Sequence, residues 1–172
     1  MQPHLNSIKQ RELISHHGIG ILWHDNLSGQ RALHAEQAFK EGDIIMPFEA
    51  GAVMSHPTKY TVQVNDNTHI ILKPLFLQYI NHSCSPNVFF DTDKMLVICL
   101  REIHPGDEFS FFYPSTEWSM TEPFSCFCGS DCCIGEIRGA KYIPENTLEG
   151  YRLTNYIKNK IPHRELSKST GT

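Results

Sequence analysis

Asn81-His82-Ser83-Cys84-Ser85-Pro86-Asn87 is a polar run set directly behind an apolar segment, dense in groups that hydrogen-bond a backbone or a ligand. Taken alone it reads as an Asn/Ser/Pro loop, because these residues favour turns through local hydrogen bonds or a fixed φ. Two stretches downstream change its weight. Gly106-Asp107-Glu108-Phe109-Ser110-Phe111-Phe112-Tyr113 joins a turn to an aromatic strand, and Cys126-Phe127-Cys128-Gly129-Ser130-Asp131-Cys132-Cys133 places four thiols within eight residues.

That crowding is unlike a disulfide framework, whose cysteines are spread through a small secreted domain; reduced thiols converging on one tetrahedral Zn²⁺ are the better reading. The side chains of adjacent Cys132 and Cys133 diverge, so one ligand should come from elsewhere. The remaining cysteines are Cys84, in a polar loop, and Cys99, in an apolar strand where a packed thiol is commoner. Cys84 is the favoured ligand. The 10 histidines are scattered without a repeated ligand spacing.

With 172 residues, 40% of them hydrophobic, the chain fills one ordinary core. A formal charge of −4 argues against a general basic surface for nucleic acid and makes a basic peptide the more natural partner. The opening MQPHLNSIKQRE is too polar for a signal peptide or a membrane span, so a soluble, intracellular protein is expected, cytoplasmic or, in a eukaryote, nuclear.

Working outward, Gly18-Ile19-Gly20 reads as a turn entering a strand, and Arg31 to Phe39 as a second extended or mixed segment. Tyr60 to Val64 and His69 to Leu72 flank Asn65-Asp66-Asn67 as a hairpin. Pro74 opens a short helix through Ile80, Met95 to Leu100 is a buried strand, and Glu108 to Tyr113 is expected as the last strand. Short strands with little helical periodicity before residue 145 indicate a mainly β domain with short helices. Apolar residues at 153, 156, 157 and 161 predict one helix between Asn146 and Ile161, weakened by Gly150, with a frayed tail after Pro162.

In this order the three motifs resemble those of the SET-domain lysine methyltransferases: an Asn-His-Ser-Cys-x-Pro-Asn run, a Gly-Glu-Glu-like strand ending in tyrosine, and a C-x-C-x4-C post-SET cluster. The resemblance implies several small β-sheets with a C-terminal pseudoknot, then a post-SET zinc segment and a C-terminal helix. The corresponding divisions are 11–118, 119–138 and 139–172. It implies S-adenosylmethionine as cofactor and structural Zn²⁺ on Cys84, Cys126, Cys128 and Cys133, in agreement with the independent choice of Cys84. By resemblance Tyr113 is the catalytic tyrosine, and Gly18, Ile19, Gly20, Asn81, His82 and Phe127 bind cofactor. Tyr60 and Phe111 wall the substrate channel, and a phenyl ring at 111 predicts that di- or trimethylation is possible.

The substrate implied is lysine in a basic protein or peptide, with no nucleic acid and no membrane involved. Three features depart from the family pattern: Phe112 stands where an Asp is common, Gln78-Tyr79 replaces Arg-Phe, and the insert between Phe48 and Asn81 is short. The short insert brings in a second expectation, a small-molecule amine or free amino acid under a lid formed by the C-terminal helix. A third is an inactive SET module serving as a binding scaffold.

Overall fold

The computed structural model describes residues 10–163. In chain order the strands are β1 (Arg11–His16), β2 (Gly20–Asp25), β3 (Arg31–Ala35), β4 (Ile44–Pro47), β5 (Glu49–Met54), β6 (Thr61–Asn65) and β7 (Thr68–Lys73). They continue as β8 (Asn81–His82), β9 (Val88–Asp91), β10 (Leu96–Cys99), β11 (Ser110–Phe111), β12 (Phe124–Ser125) and β13 (Glu136–Ile137). Two short helices close the described chain, α1 (Glu145–Leu148) and α2 (Asn155–Lys160). The strands form three-stranded sheets β1-β2-β3, β4-β10-β9 and β5-β7-β6, with β8/β11 and β12/β13 as two-stranded pairs.

The expected hairpin is present: β6 and β7 pair antiparallel, and the Asn65 side chain closes the turn by accepting from the Asn67 backbone N–H at 2.9–3.0 Å range typical of such bonds, here 3.0 Å. The segment after Pro74 is a 3₁₀ turn over Leu75–Tyr79, with Leu77 fully buried. Burial of β10 agrees with its apolar sequence, Val97, Ile98 and Cys99 all lying inside. Several strands escaped the sequence reading, among them the six-residue β1 and β5. β1 is exposed along almost its whole length, and five of the six residues of β5 are exposed, so both are held by backbone pairing and carry no period-2 apolar signal.

Two expectations are corrected. The strand over Glu108 to Tyr113 narrows to Ser110–Phe111 because its backbone is shared: Glu108 bridges to His34, and Phe109 N–H donates to Leu33 O at 2.8 Å, before Ser110 and Phe111 turn to β8. It is also followed by β12 and β13, so it is not the last. The single helix between Asn146 and Ile161 is broken into α1 and α2. Thr154 N–H donates to Ser115 O at 3.0 Å, which holds the chain extended there, and its side chain then caps α2 by accepting from Ile157 N–H. Most of the tail expected after Pro162 lies outside the described residues. No helix among those described is long and apolar enough to cross a membrane.

The main core runs beneath the sheets and includes Leu33, Leu77, Phe90, Val97 and Phe109. A second core gathers Ala140, Ile143, Leu148, Leu153 and Ile157 around Phe112. Phe112 and Tyr151 stack with centroids 3.7 Å apart and planes 7° from parallel. An apolar ring where relatives of the motif carry Asp thus has a packing partner, supplied by the C-terminal segment. Burying such a ring contributes about 1.5–3 kcal/mol, enough to fix that segment behind the strand that leads to Tyr113.

Candidate active site

The parallel pairing of β8 with β11 sets Asn81 opposite Ser110 and His82 opposite Phe111, so the polar run and the aromatic strand meet side by side. They open onto a cavity of about 1080 Å³ whose wall includes Tyr60, Asn81, His82, Phe111, Tyr113 and Phe127. These six predicted residues, from four separate stretches of sequence, come together. Gly18, Ile19 and Gly20 do not line the cavity; Gly29, Gln30 and Arg31 do. Gly20 has a packing reason to be glycine, since a Cβ there would lie 2.6 Å from His34 O and 3.1 Å from the Phe109 ring.

Tyr113 follows β11 at the start of a 3₁₀ turn fixed by Pro114. Its ring lies 4.7 Å from that of Phe111 and 5.2 Å, edge on, from that of His82. The hydroxyl has no hydrogen-bond partner among the described residues and is not sealed in the interior, so it is free to meet a ligand in the cavity. Burial pushes Tyr113 up to about 12, and Glu108 adds to the shift. At neutral pH the hydroxyl keeps its proton.

His82 connects this tyrosine to the thiols. Its Nδ1 accepts from Tyr113 backbone N–H at 3.2 Å, which leaves the proton on Nε2, 3.4 Å from Cys84 Sγ. Burial brings His82 down to about 4, so the ring is neutral at physiological pH and serves as a fixed two-ended bridge. Asn81 performs a similar task on the other side: its side-chain amide donates to Arg31 O and Glu108 Oε1, both at 3.0 Å. Arg31 in turn donates to the Tyr79 hydroxyl at 2.8 Å.

The Sγ atoms of Cys84, Cys126, Cys128 and Cys133 lie within 4.8 Å of one another, although 42 residues separate the first two in sequence. The Sγ atoms of Cys84 and Cys126 are 3.9 Å apart. Zn–S bonds of about 2.3 Å in a tetrahedron place sulfurs about 3.8 Å from one another, so the donor set fits zinc in spacing and in chemistry. Cys132 stands outside the four, its Sγ directed at Cys84 O at 3.1 Å, and Tyr151 O–H donates to the same carbonyl at 2.9 Å. Cys99 is a packed thiol, donating to Arg101 O.

Glu117, Phe124 and the Gly29-Gln30-Arg31 stretch that enters β3 also line the cavity and were missed in the sequence as site residues. An aromatic residue two positions before the first clustered cysteine was a usable signal for Phe124. Nothing local marks Glu117 as buried. No described residue after Cys128 lines the cavity: the C-terminal helices pack around Phe112, just past β11, and the lid expected for a small-amine pocket is not formed by them.

Small sheets joined through a parallel β8/β11 pair, with the polar run, aromatic strand and thiol cluster in that order along the chain, match the arrangement that the SET-domain resemblance implies. The family model of the SET domain matches residues 30–114, and that stretch of the chain is a SET domain. It is 43% identical over 93 residues to "Methyltransferase flvH" of Aspergillus flavus, a match covering 53% of this chain and 52% of that protein. It is 35% identical over 85 residues to a histone-lysine N-methyltransferase, H3 lysine-36 specific, of Schizosaccharomyces pombe, covering 42% of this chain and 10% of that protein. The chain thus spans about half the length of the first relative and a small part of the second. Among solved structures, a SET8 protein from Cryptosporidium is 18% identical with a TM-score of 0.38, over 54% of this chain and 56% of that one.

Proposed function

We propose that this chain transfers methyl groups from S-adenosylmethionine to the ε-amine of lysine in a protein substrate, with Tyr113 as the catalytic residue. The observation that carries the reading is the unpartnered Tyr113 hydroxyl, held between the Phe111 and His82 rings at the wall of a cavity. Bound S-adenosylmethionine supplies a methyl group on a sulfonium, open to in-line displacement by an amine. Because Tyr113 keeps its proton at neutral pH, it is no base; its hydroxyl orients the reacting groups, and the amine must arrive neutral. Phe111 closes one side of the channel without offering a hydroxyl that would restrain a partly methylated amine.

Asn81 and His82 hold the cofactor side of the cavity, joined in its wall by Gly29, Gln30 and Arg31. Phe127 is 93% exposed, an unusual state for a phenyl ring, and it lies in the cavity wall between two thiols of the cluster. An apolar ring held open in this way suits the flat face of adenine. Replacing Phe127 with Ala is expected to weaken S-adenosylmethionine binding about tenfold, from loss of roughly 1.5 kcal/mol of stacking and burial. Calorimetric titration checks this, and an unchanged Kd would remove Phe127 from the site. Cys84, Cys126, Cys128 and Cys133 would hold Zn²⁺ with all four positions filled by thiolates, a structural role with no place for substrate on the metal.

A protein substrate is favoured over a free amine because the described C-terminal helices do not cover the cavity. Radiolabelled methyl transfer to a lysine peptide array, to lysate proteins and to a library of small amines tests the reading, with Tyr113→Phe as the control. Label in peptides or proteins supports it. Label confined to small amines would overturn the protein substrate, and no label in any arm would overturn the enzyme.

A further inference from the structure

Glu117 lies four residues past Tyr113 and has no part in the reaction as proposed. It is 8% exposed, yet it forms part of the cavity wall in company with Tyr60, Thr61, Val62 and Met120. Its hydrogen bonds all fall on one oxygen: Oε1 accepts from Gln63 backbone N–H at 2.8 Å and from the Thr116 hydroxyl at 3.4 Å. Oε2 has no hydrogen-bond or ion-pair partner among the described residues, and it is not one of the sealed, unpartnered buried atoms. With Glu117 in the cavity wall, Oε2 is the oxygen left to serve a ligand there. Two lysines of that region are engaged elsewhere: the Lys160 ammonium pairs with Asp66 and sits over the Trp118 and Tyr156 rings, and Lys59, which also lines the cavity, sits over the Tyr60 ring.

A glutamine would serve Gln63 and Thr116 through the same oxygen without a charge to bury. Burying a carboxylate with an idle oxygen is costly, and burial accordingly pushes Glu117 up to about 7. Such a group repays its cost when a cation reaches it. That cation is not the amine to be methylated, since a carboxylate beside it would hold it protonated and stop the displacement. We propose that Glu117 is a specificity-determining residue that receives, through Oε2, a second cationic nitrogen of the substrate, an ammonium or guanidinium beside the reacting amine. The inference rests on the methyltransferase reading. Its two sources are a neighbouring Lys or Arg of a protein and the far amine of a diamine.

The test compares wild type with Glu117→Gln in two ways. Methyl transfer is measured on lysine peptides carrying Arg or its neutral isostere citrulline at each flanking position in turn, and on 1,5-diaminopentane against 1-aminopentane. Binding of the same probes is measured by calorimetry with S-adenosylhomocysteine present, so that a result does not depend on turnover. Wild type should prefer the member with the extra cation by about tenfold or more, as for a charge-assisted hydrogen bond, and the variant should show almost no preference. The peptide and diamine arms separate the two sources. A melting temperature no lower than wild type shows that the variant folds. An equal preference in both proteins, or none in wild type, overturns the proposal. A preference in binding with no methyl transfer in any arm leaves the cation site standing and removes the methyltransferase reading instead.

Discussion

Replacing Tyr113 with Phe is expected to lower kcat by about a hundredfold to a thousandfold, the usual effect of deleting one oriented hydrogen-bonding group at a reacting centre. The change removes a single oxygen. The ring keeps its contacts with Phe111 and His82, and the backbone N–H that donates to His82 Nδ1 is untouched, so the fold and the cofactor side of the cavity should survive. Cofactor affinity is therefore expected to change by less than about threefold, in contrast to Phe127→Ala. Single-turnover kinetics with a labelled methyl group, beside calorimetry, separates the two effects. A variant that binds cofactor and turns over at near the wild-type rate would show that the hydroxyl plays no part in the transfer.

The second large effect is expected from removing zinc. Structural zinc sites of thiolates bind with roughly 10–16 kcal/mol at neutral pH, as much as the whole stability of an ordinary domain. Few other interactions hold the segment that carries three of these thiols: β12 and β13 are two residues long each, and the small cluster around Ile137 is built partly from the four cysteines themselves. Chelation should therefore loosen residues 124–137 and, because Cys84 Sγ meets His82 Nε2, disturb the seat of Tyr113 as well. The expected readings are loss of hydrogen-exchange protection in that segment and a fall of more than about tenfold in cofactor affinity. Cys84→Ser should reproduce both. Cys132→Ser should retain the metal, since its sulfur points to a carbonyl and stands apart from the four. Cofactor affinity that persists after complete chelation would separate the thiol cluster from the site.

The thiol cluster shows how much a sequence can disclose when chemistry restricts the choices. Two adjacent cysteines cannot easily serve one tetrahedron, and a thiol in an apolar strand is usually packed, which left Cys84; its sulfur lies 3.9 Å from that of Cys126. Tyr113, Phe111, Asn81 and His82 were legible because their motif is read in a fixed order along the chain. Gly18-Ile19-Gly20 lies outside the cavity wall, and a glycine pair looks the same in sequence whether it admits a ligand or a neighbouring strand; at Gly20 the neighbour is His34 O. β1 and β5 escaped because strands held by pairing alone carry no buried stripe. The split of the last helix depended on Ser115, a residue 39 positions before the Thr154 N–H it receives, and no local pattern records such a contact. Glu117 was hidden for the same reason, its burial being decided by Gln63 from across the fold.

The most direct measurement is peptide mapping by mass spectrometry of a lysine peptide or protein labelled in the radiochemical screen, after reaction with wild type and with Tyr113→Phe. The account predicts whole methyl increments on lysine Nζ, including dimethyl product, from wild type only. Methyl groups on another atom, or equal labelling by both proteins, would contradict it.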